Sequence, residues 1–127
     1  MENKLYTSEL KVMEVLWREG EQPARQIAEK LTSELGWNVN TTYTLIKRCI
    51  KKGAIARSEP KFLCRALVGR EEVQAAETAE LVDKLYEGSV DKLFAALLSP
   101  GKLDREQVAR LRKMVDELEW GVLHDIA

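Results

Sequence analysis

Groups that ligate metals or act as nucleophiles are scarce in this 127-residue chain. Its two cysteines, Cys49 and Cys64, stand apart with no C-x-x-C, and its one histidine, His124, lies near the end. No multi-ligand zinc site assembles from such a set within one chain, so neither a metal nor another cofactor is expected. The sequence holds no Gly-rich phosphate loop, no G-x-S-x-G and no histidine near a nucleophile. Adjacent carboxylates such as Glu71 and Glu72 read as a helix surface, and enzyme activity is not expected. No run approaches the ~18 uncharged apolar residues of a membrane span. The opening MENKLYTSEL lacks the apolar stretch of a secretory signal, so a cytoplasmic protein without membrane insertion is expected.

What is present is an ordinary globular composition, 32% charged and 45% hydrophobic, enough for one domain or two small ones. The net charge of −1 conceals a division. Residues 1–70 carry thirteen Lys/Arg against eight Asp/Glu, whereas the remainder carries seven against thirteen. Between Asn40 and Arg70, eight basic residues face Glu59 alone. A basic module joined to an acidic one implies two different tasks, and the expected division is 1–70 and 71–127.

Thr7 or Ser8 is placed to cap a first helix with apolar positions Leu10, Met13, Leu16 and Trp17, ended by Gly20. Pro23 suits the first turn of a second helix, whose stripe Ala24, Ile27, Ala28, Leu31 and Leu35 stops at Gly36. Asn40 is the expected cap of a third helix that runs to Gly53. Ala54–Ser58 and Phe62–Leu67, separated by Glu59-Pro60-Lys61, then predict a small β-hairpin. Three helices and a basic hairpin form the pattern of a winged helix-turn-helix, whose third helix enters a major groove while the hairpin rests on phosphates. The expected fold is mainly α: this DNA-binding domain with its small wing, followed by a helical dimerisation domain.

At 100° per residue the third helix places Thr41, Thr44, Lys47, Arg48 and Lys51 on one side and Thr42, Ile46, Cys49 and Ile50 on the other. Thr41 and Thr44 suit phosphates or base edges, and Arg48 offers a two-pronged donor set to guanine. Lys47, Lys51 and Lys52 fit phosphates, with Arg57, Lys61 and Arg65 added by the hairpin. Tyr43 borders this face, either stacking on a sugar or packing on the hairpin. A basic helix face is most often merely solvated. Here the lack of balancing acids, the recognition-helix position and the basic hairpin argue for a double-stranded DNA partner. The rival from another class is a winged-helix protein-interaction adaptor that never touches DNA, which an apolar or acidic third-helix face would mark. Cys49 and Cys64 read as small apolar core residues, with a redox switch as the alternative.

The second half predicts three more helices. Glu71 and Glu72 open the first, with Val73, Ala76, Leu81, Val82, Leu85 and Tyr86 as its apolar surface. Ser89 caps the second, carrying Val90, Leu93, Phe94, Leu97 and Leu98. Asp104 and Gln107 have the spacing of a capping box for the third, with Val108, Leu111, Val115 and Leu118 in a seven-residue rhythm. So small a helical unit buries little surface alone, which predicts a homodimer through residues 71 to 120, with Val90, Leu93, Phe94, Leu97, Val108, Leu111, Val115 and Leu118 at the contact. Trp17 and Trp37 are expected in the core, Trp120 at the dimer seam and His124 at the surface.

The segments TSELKVMEVLW, WNVNTTYTLIKRCIKKGAI, FLCRALV and LYEGSVDKLFAALL together resemble the penicillinase-repressor family of bacterial transcriptional regulators, the BlaI/MecI/CopY group. The most specific element is T-x-x-T-L-I-x-R-x-x-K-K-G from Thr41 to Gly53. The resemblance implies repression by a homodimer bound to a dyad operator, with DNA contacts from Thr41, Thr44 and Arg48, supported by Lys47 and the wing. It also implies a membrane sensor-protease as a partner in the penicillinase branch, where the family is cut at an Asn-Phe pair; an ungapped match puts Ala96-Leu97 at that place. The paired cysteines of the copper-responsive branch have no counterpart in the final ELEWGVLHDIA. The inducing signal is left unidentified.

Overall fold

The computed structural model describes the backbone of residues 4–126 and the side chains of residues 4–118. Trp120 and His124 therefore lie outside the described side chains. The chain divides into one compact unit ending at Thr78 and a second beginning at Ala79. The division falls inside a helix.

In the first unit, helix α1 (Thr7–Glu19) is capped one residue earlier than the sequence predicts, by Tyr6 in an extended conformation. The Tyr6 backbone N–H donates to the Glu9 carboxylate at 2.7 Å, the returning bond of a capping box in which the third residue of the helix satisfies the N-cap. Its buried face is Glu9, Val12, Met13, Val15 and Leu16. A short strand, β1 (Gln22–Pro23), leads into α2 (Ala24–Leu35), so Pro23 serves as N-cap rather than within the first turn. Ala24, Ile27, Ala28 and Leu31 are buried, while Leu35 at the end of the predicted stripe is exposed.

The turn after α2 positions everything that follows. Gly36 adopts φ 71° and ψ 21°, a left-handed conformation that glycine enters without a Cβ penalty. The N–H groups of Gly36 and Trp37 reach back to the carbonyls of Thr32 (2.9 Å) and Leu31 (3.4 Å), and the Thr32 hydroxyl donates to the Trp37 carbonyl at 2.7 Å. Helix α3 (Val39–Lys51) starts immediately afterwards. Its cap is Asn38, whose side-chain oxygen accepts the Asn40 N–H at 2.7 Å, and not Asn40 itself, which lies within the first turn.

Strands β2 (Ile55–Ser58) and β3 (Leu63–Ala66) form the expected hairpin through a turn at Glu59–Phe62. The hairpin is not isolated. β1 adds antiparallel to β3, with Gln22 opposite Cys64, giving a three-stranded sheet in the order β1-β3-β2. A two-stranded ribbon is marginal alone, and this third strand ties it to the helices. One core joins α1, α2, α3 and the sheet around Met13, Ile27, Leu31, Ile46, Ile55 and Cys64, with Trp17 and Trp37 packed against it. The Trp17 indole N–H donates to the Val68 carbonyl at 2.9 Å.

Helix α4 (Arg70–Leu85) runs through the division between the units and buries Val73 in the first core. In the second unit, α5 (Val90–Leu97) is capped by Ser89, whose hydroxyl accepts the Lys92 N–H at 3.3 Å. Helix α6 (Arg105–Ile126) follows a complete capping box: the Asp104 N–H donates to Gln107 Oε1 (3.0 Å) and the Gln107 N–H to Asp104 Oδ1 (2.8 Å). Both caps stand where the sequence predicts, because capping is settled within four residues. Among the described residues no helix is long and apolar enough to cross a membrane.

Candidate nucleic-acid interface

Helix α3 is two-faced, as its periodicity requires. Thr42, Leu45, Ile46 and Cys49 are buried. Thr41, Thr44, Lys47, Arg48 and Lys51 are exposed along the other side. On the first two helices the basic residues are largely paired: Arg18 with Glu19 and Glu34, Lys30 with Glu19, Arg25 with Glu29. Lys47, Arg48 and Lys51 have no acidic partner among the described residues. Among the described residues, three cations without an acidic partner thus stand together on one face of α3.

Thr44 has a more specific capacity than its hydroxyl suggests. Its Oγ1 donates to the Asn40 carbonyl at 3.0 Å, so the proton is engaged within the helix. Outward it presents lone pairs and a methyl group, which suits a base-edge donor or a thymine methyl better than a phosphate.

The wing is organised by aromatic contacts. Tyr43 meets Phe62 edge-on, with centroids 5.9 Å apart, so Tyr43 packs on the hairpin as one of its two expected readings had it. The Arg57 guanidinium lies 3.5 Å from the Phe62 ring centroid and is also paired with Glu59. Arg65 lies 3.9 Å from Glu21, and Lys61 is exposed at the turn. Glu59 is therefore an internal competitor for a phosphate at Arg57. Glu59→Gln should tighten binding to any duplex about threefold and steepen the salt dependence, as one more cation becomes available to displace counterions. Titration of the variant against random-sequence DNA checks this.

Lys52 departs from the expectation. Sequence reasoning places it with the phosphate-binding lysines, but its ammonium turns away from the Lys47–Lys51 face toward Glu9, at 2.6 Å. Glu9 itself was missed. The available signal was its spacing, since positions 9, 13 and 16 recur on one side of α1 and the latter two are buried.

Cys49 and Cys64 are both buried and unpaired. Burial pushes the Cys49 thiol up to about 12, with the nearby Glu9 carboxylate adding to the effect and Lys52 opposing it. Burial likewise raises Cys64 to about 11, against the opposing charge of Arg57. Thiols held neutral in this way are poor nucleophiles, which favours the core reading over the redox one. At pH 8 an aromatic disulfide reagent is expected to modify them no faster than the chain unfolds, and DNA affinity should be equal in peroxide and in reductant. Because both values are raised in the fold, the stability they contribute is complete below the ordinary thiol pKa and is lost as pH rises toward 11 and 12. Among the described residues no group of three or more His, Cys, Asp or Glu could hold a metal ion.

In the second unit, none of the eight residues expected at a dimer contact is buried within the single chain. Val90, Phe94, Leu97, Val115 and Leu118 are exposed, and Leu93, Val108 and Leu111 are half-buried. Phe94, Leu98, Val108, Leu111 and Val115 line a groove of about 330 Å³, with Arg112 and Asp116 at its edge. Ala96 and Leu97 lie in the last turn of α5.

Comparison with known proteins adds four findings. The family model described as "Penicillinase repressor" matches residues 5–117. The chain is 26% identical over 122 residues to the methicillin resistance regulatory protein MecI of Staphylococcus aureus (strain N315), covering 92% of this chain and 99% of that protein. It is 21% identical over 112 residues to the penicillinase repressor of Bacillus licheniformis, covering 87% and 88% respectively. The solution structure of the DNA binding domain of the repressor BlaI superposes with a TM-score of 0.50 at 24% identity, over 54% of this chain and 85% of that one. That likeness identifies the fold of the first unit as a winged helix.

Proposed function

The chain belongs to the penicillinase repressor family, and from that premise we propose that it represses transcription as a homodimer bound to a dyad operator. Each protomer lays Thr41 to Lys51 of α3 in a major groove, with the two grooves about one helical turn apart. Arg48 reads a base edge. Thr41 contacts a neighbouring base edge or phosphate, Thr44 accepts from a base-edge donor or meets a thymine methyl, and Lys47 and Lys51 hold phosphates. Arg57, Lys61 and Arg65 of the wing add phosphate contacts alongside. The observation that carries this reading is the solvent face of α3, where hydroxyl and guanidinium donors stand among lysines with no acidic partner among the described residues.

The second copy is the occupant we assign to the α5–α6 groove. Its apolar lining would otherwise stay in water, and a surface shared by identical chains produces the two-fold symmetry that a dyad site demands. A protomer torn from its partner loses half the DNA contacts and their effective concentration. Any signal that weakens this contact relieves repression, including a sensor-protease cut at Ala96-Leu97. Such a cut requires α5 to open first, because both residues are helical.

Fluorescence anisotropy on a labelled fragment of the gene's own upstream region, against a scrambled fragment and across a salt series, tests the proposal. Neutralising roughly six to eight phosphates gives a slope of log K on log salt of about −5 to −7. Preference for the native fragment should reach at least ~10³. Weak binding without preference, repeated in a selection from genomic DNA, would replace this reading with the protein-interaction adaptor.

A further inference from the structure

The Lys52 ammonium has three partners. It donates to Glu9 Oε1 at 2.6 Å and to the Lys4 carbonyl at 2.7 Å, and it stands 4.2 Å from the centroid of the Tyr6 ring. An ammonium has three protons, and these neighbours occupy its three sides. Glu9 is 1% exposed, and its second oxygen, Oε2, has no hydrogen-bond partner. Among the described residues the buried carboxylate thus rests on Lys52 and the Tyr6 N–H alone. A buried charge with so few partners cannot easily give one up, which makes the pair a stiff link. Its two ends matter equally. Glu9 belongs to the first turn of α1, while Lys52 is the C-cap of α3, one turn beyond Arg48. At the other end of α3, the Asn38 cap and the Thr32–Trp37 bond fix the entry of the helix.

We propose that Lys52 is a positioning residue for DNA reading: its ion pair with Glu9 clamps the C-terminal end of α3 to the start of α1 and so sets the angle at which Arg48 meets a base. It is not a phosphate contact, although its neighbour Lys51 is. This inference rests on the operator-binding reading above. Base readout by Arg48 depends on geometry at the level of single hydrogen bonds, whereas attraction to phosphates depends mainly on charge. A loosened α3 therefore loses discrimination and keeps general affinity.

The experiment measures binding of Glu9→Gln, Lys52→Gln, the double variant and Lys52→Arg to the native and scrambled fragments over a salt series, with folding verified by circular dichroism. Glu9→Gln and Lys52→Gln should each lower affinity for the native fragment tenfold or more, with binding to the scrambled fragment and the salt slope unchanged. The double variant should lose no more than the worse single one, since both remove the same link. Lys52→Arg retains the charge, but its planar fork does not fit a cradle shaped for a compact ammonium. It too should lose preference at an unchanged slope, and it decides the matter if the glutamine variants do not fold. The inference is overturned if Lys52→Gln weakens both fragments alike and flattens the slope by about one per protomer while Glu9→Gln is silent, the signature of a phosphate contact. Wild-type behaviour of Lys52→Arg or of both glutamine variants overturns it as well. If the wild-type protein shows no preference for its native fragment, the operator-binding reading fails first and takes this inference with it.

Discussion

Phe94→Glu is expected to convert the protein from dimer to monomer and to reduce operator affinity by roughly three orders of magnitude. Phe94 lies on α5 in the apolar groove completed by Leu98, Val108, Leu111 and Val115. A carboxylate placed there would be desolvated by the second copy without a compensating partner. In the single chain Phe94 is 41% exposed, so the new carboxylate still reaches water in the isolated protomer. Sedimentation at micromolar concentration should show one species of half the mass, and the melting of the winged-helix unit should not change. Binding to random DNA should persist with about half the wild-type salt slope, because each monomer still carries one α3 and one wing. A Phe94→Glu protein that remains dimeric and binds its operator normally would show that the α5–α6 groove is not the contact between copies.

Arg48→Ala has the second largest expected effect, about 1–3 kcal/mol at the operator, and its character matters more than its size. Arg48 is exposed on α3, has no acidic partner among the described residues, and carries a planar fork suited to the N7 and O6 of guanine. Removing it should relax sequence preference at one position of each half-site while random DNA loses much less. Lys51→Ala, three residues further along the same face, should instead weaken every duplex in similar proportion and reduce the salt slope by about one per protomer. Titration of both variants against native and scrambled fragments separates the two roles. Equal proportional losses on both fragments would show that Arg48 is only another phosphate contact.

These assignments are legible in the sequence to different degrees. The two faces of α3 follow from a 100° rotation applied to thirteen residues, and the caps at Ser89 and Asp104 follow from side chains reaching backbone groups three residues away. The displaced caps at Tyr6 and Asn38 show the limit of such reasoning. Asn38 and Asn40 are both capable caps, and the choice was made by the left-handed Gly36 and the Thr32–Trp37 bond, which bring the chain into α3 at Asn38.

Periodicity, charge distribution and capping are properties of neighbours along the chain, so the winged-helix pattern, the basic reading face and the acidic apolar-striped second half could all be read in one dimension. Lys51 and Lys52 could not be told apart in this way. One faces solvent and the other an ion pair, because the partner of Lys52 lies forty-three positions earlier and reaches it only when α1 packs on α3. The pairing of Gln22 with Cys64 has the same origin, as does the burial of both thiols. Which charge meets which, and which polar group leaves water, is settled when distant segments share one core; the local pattern records only which side of a helix each group will occupy.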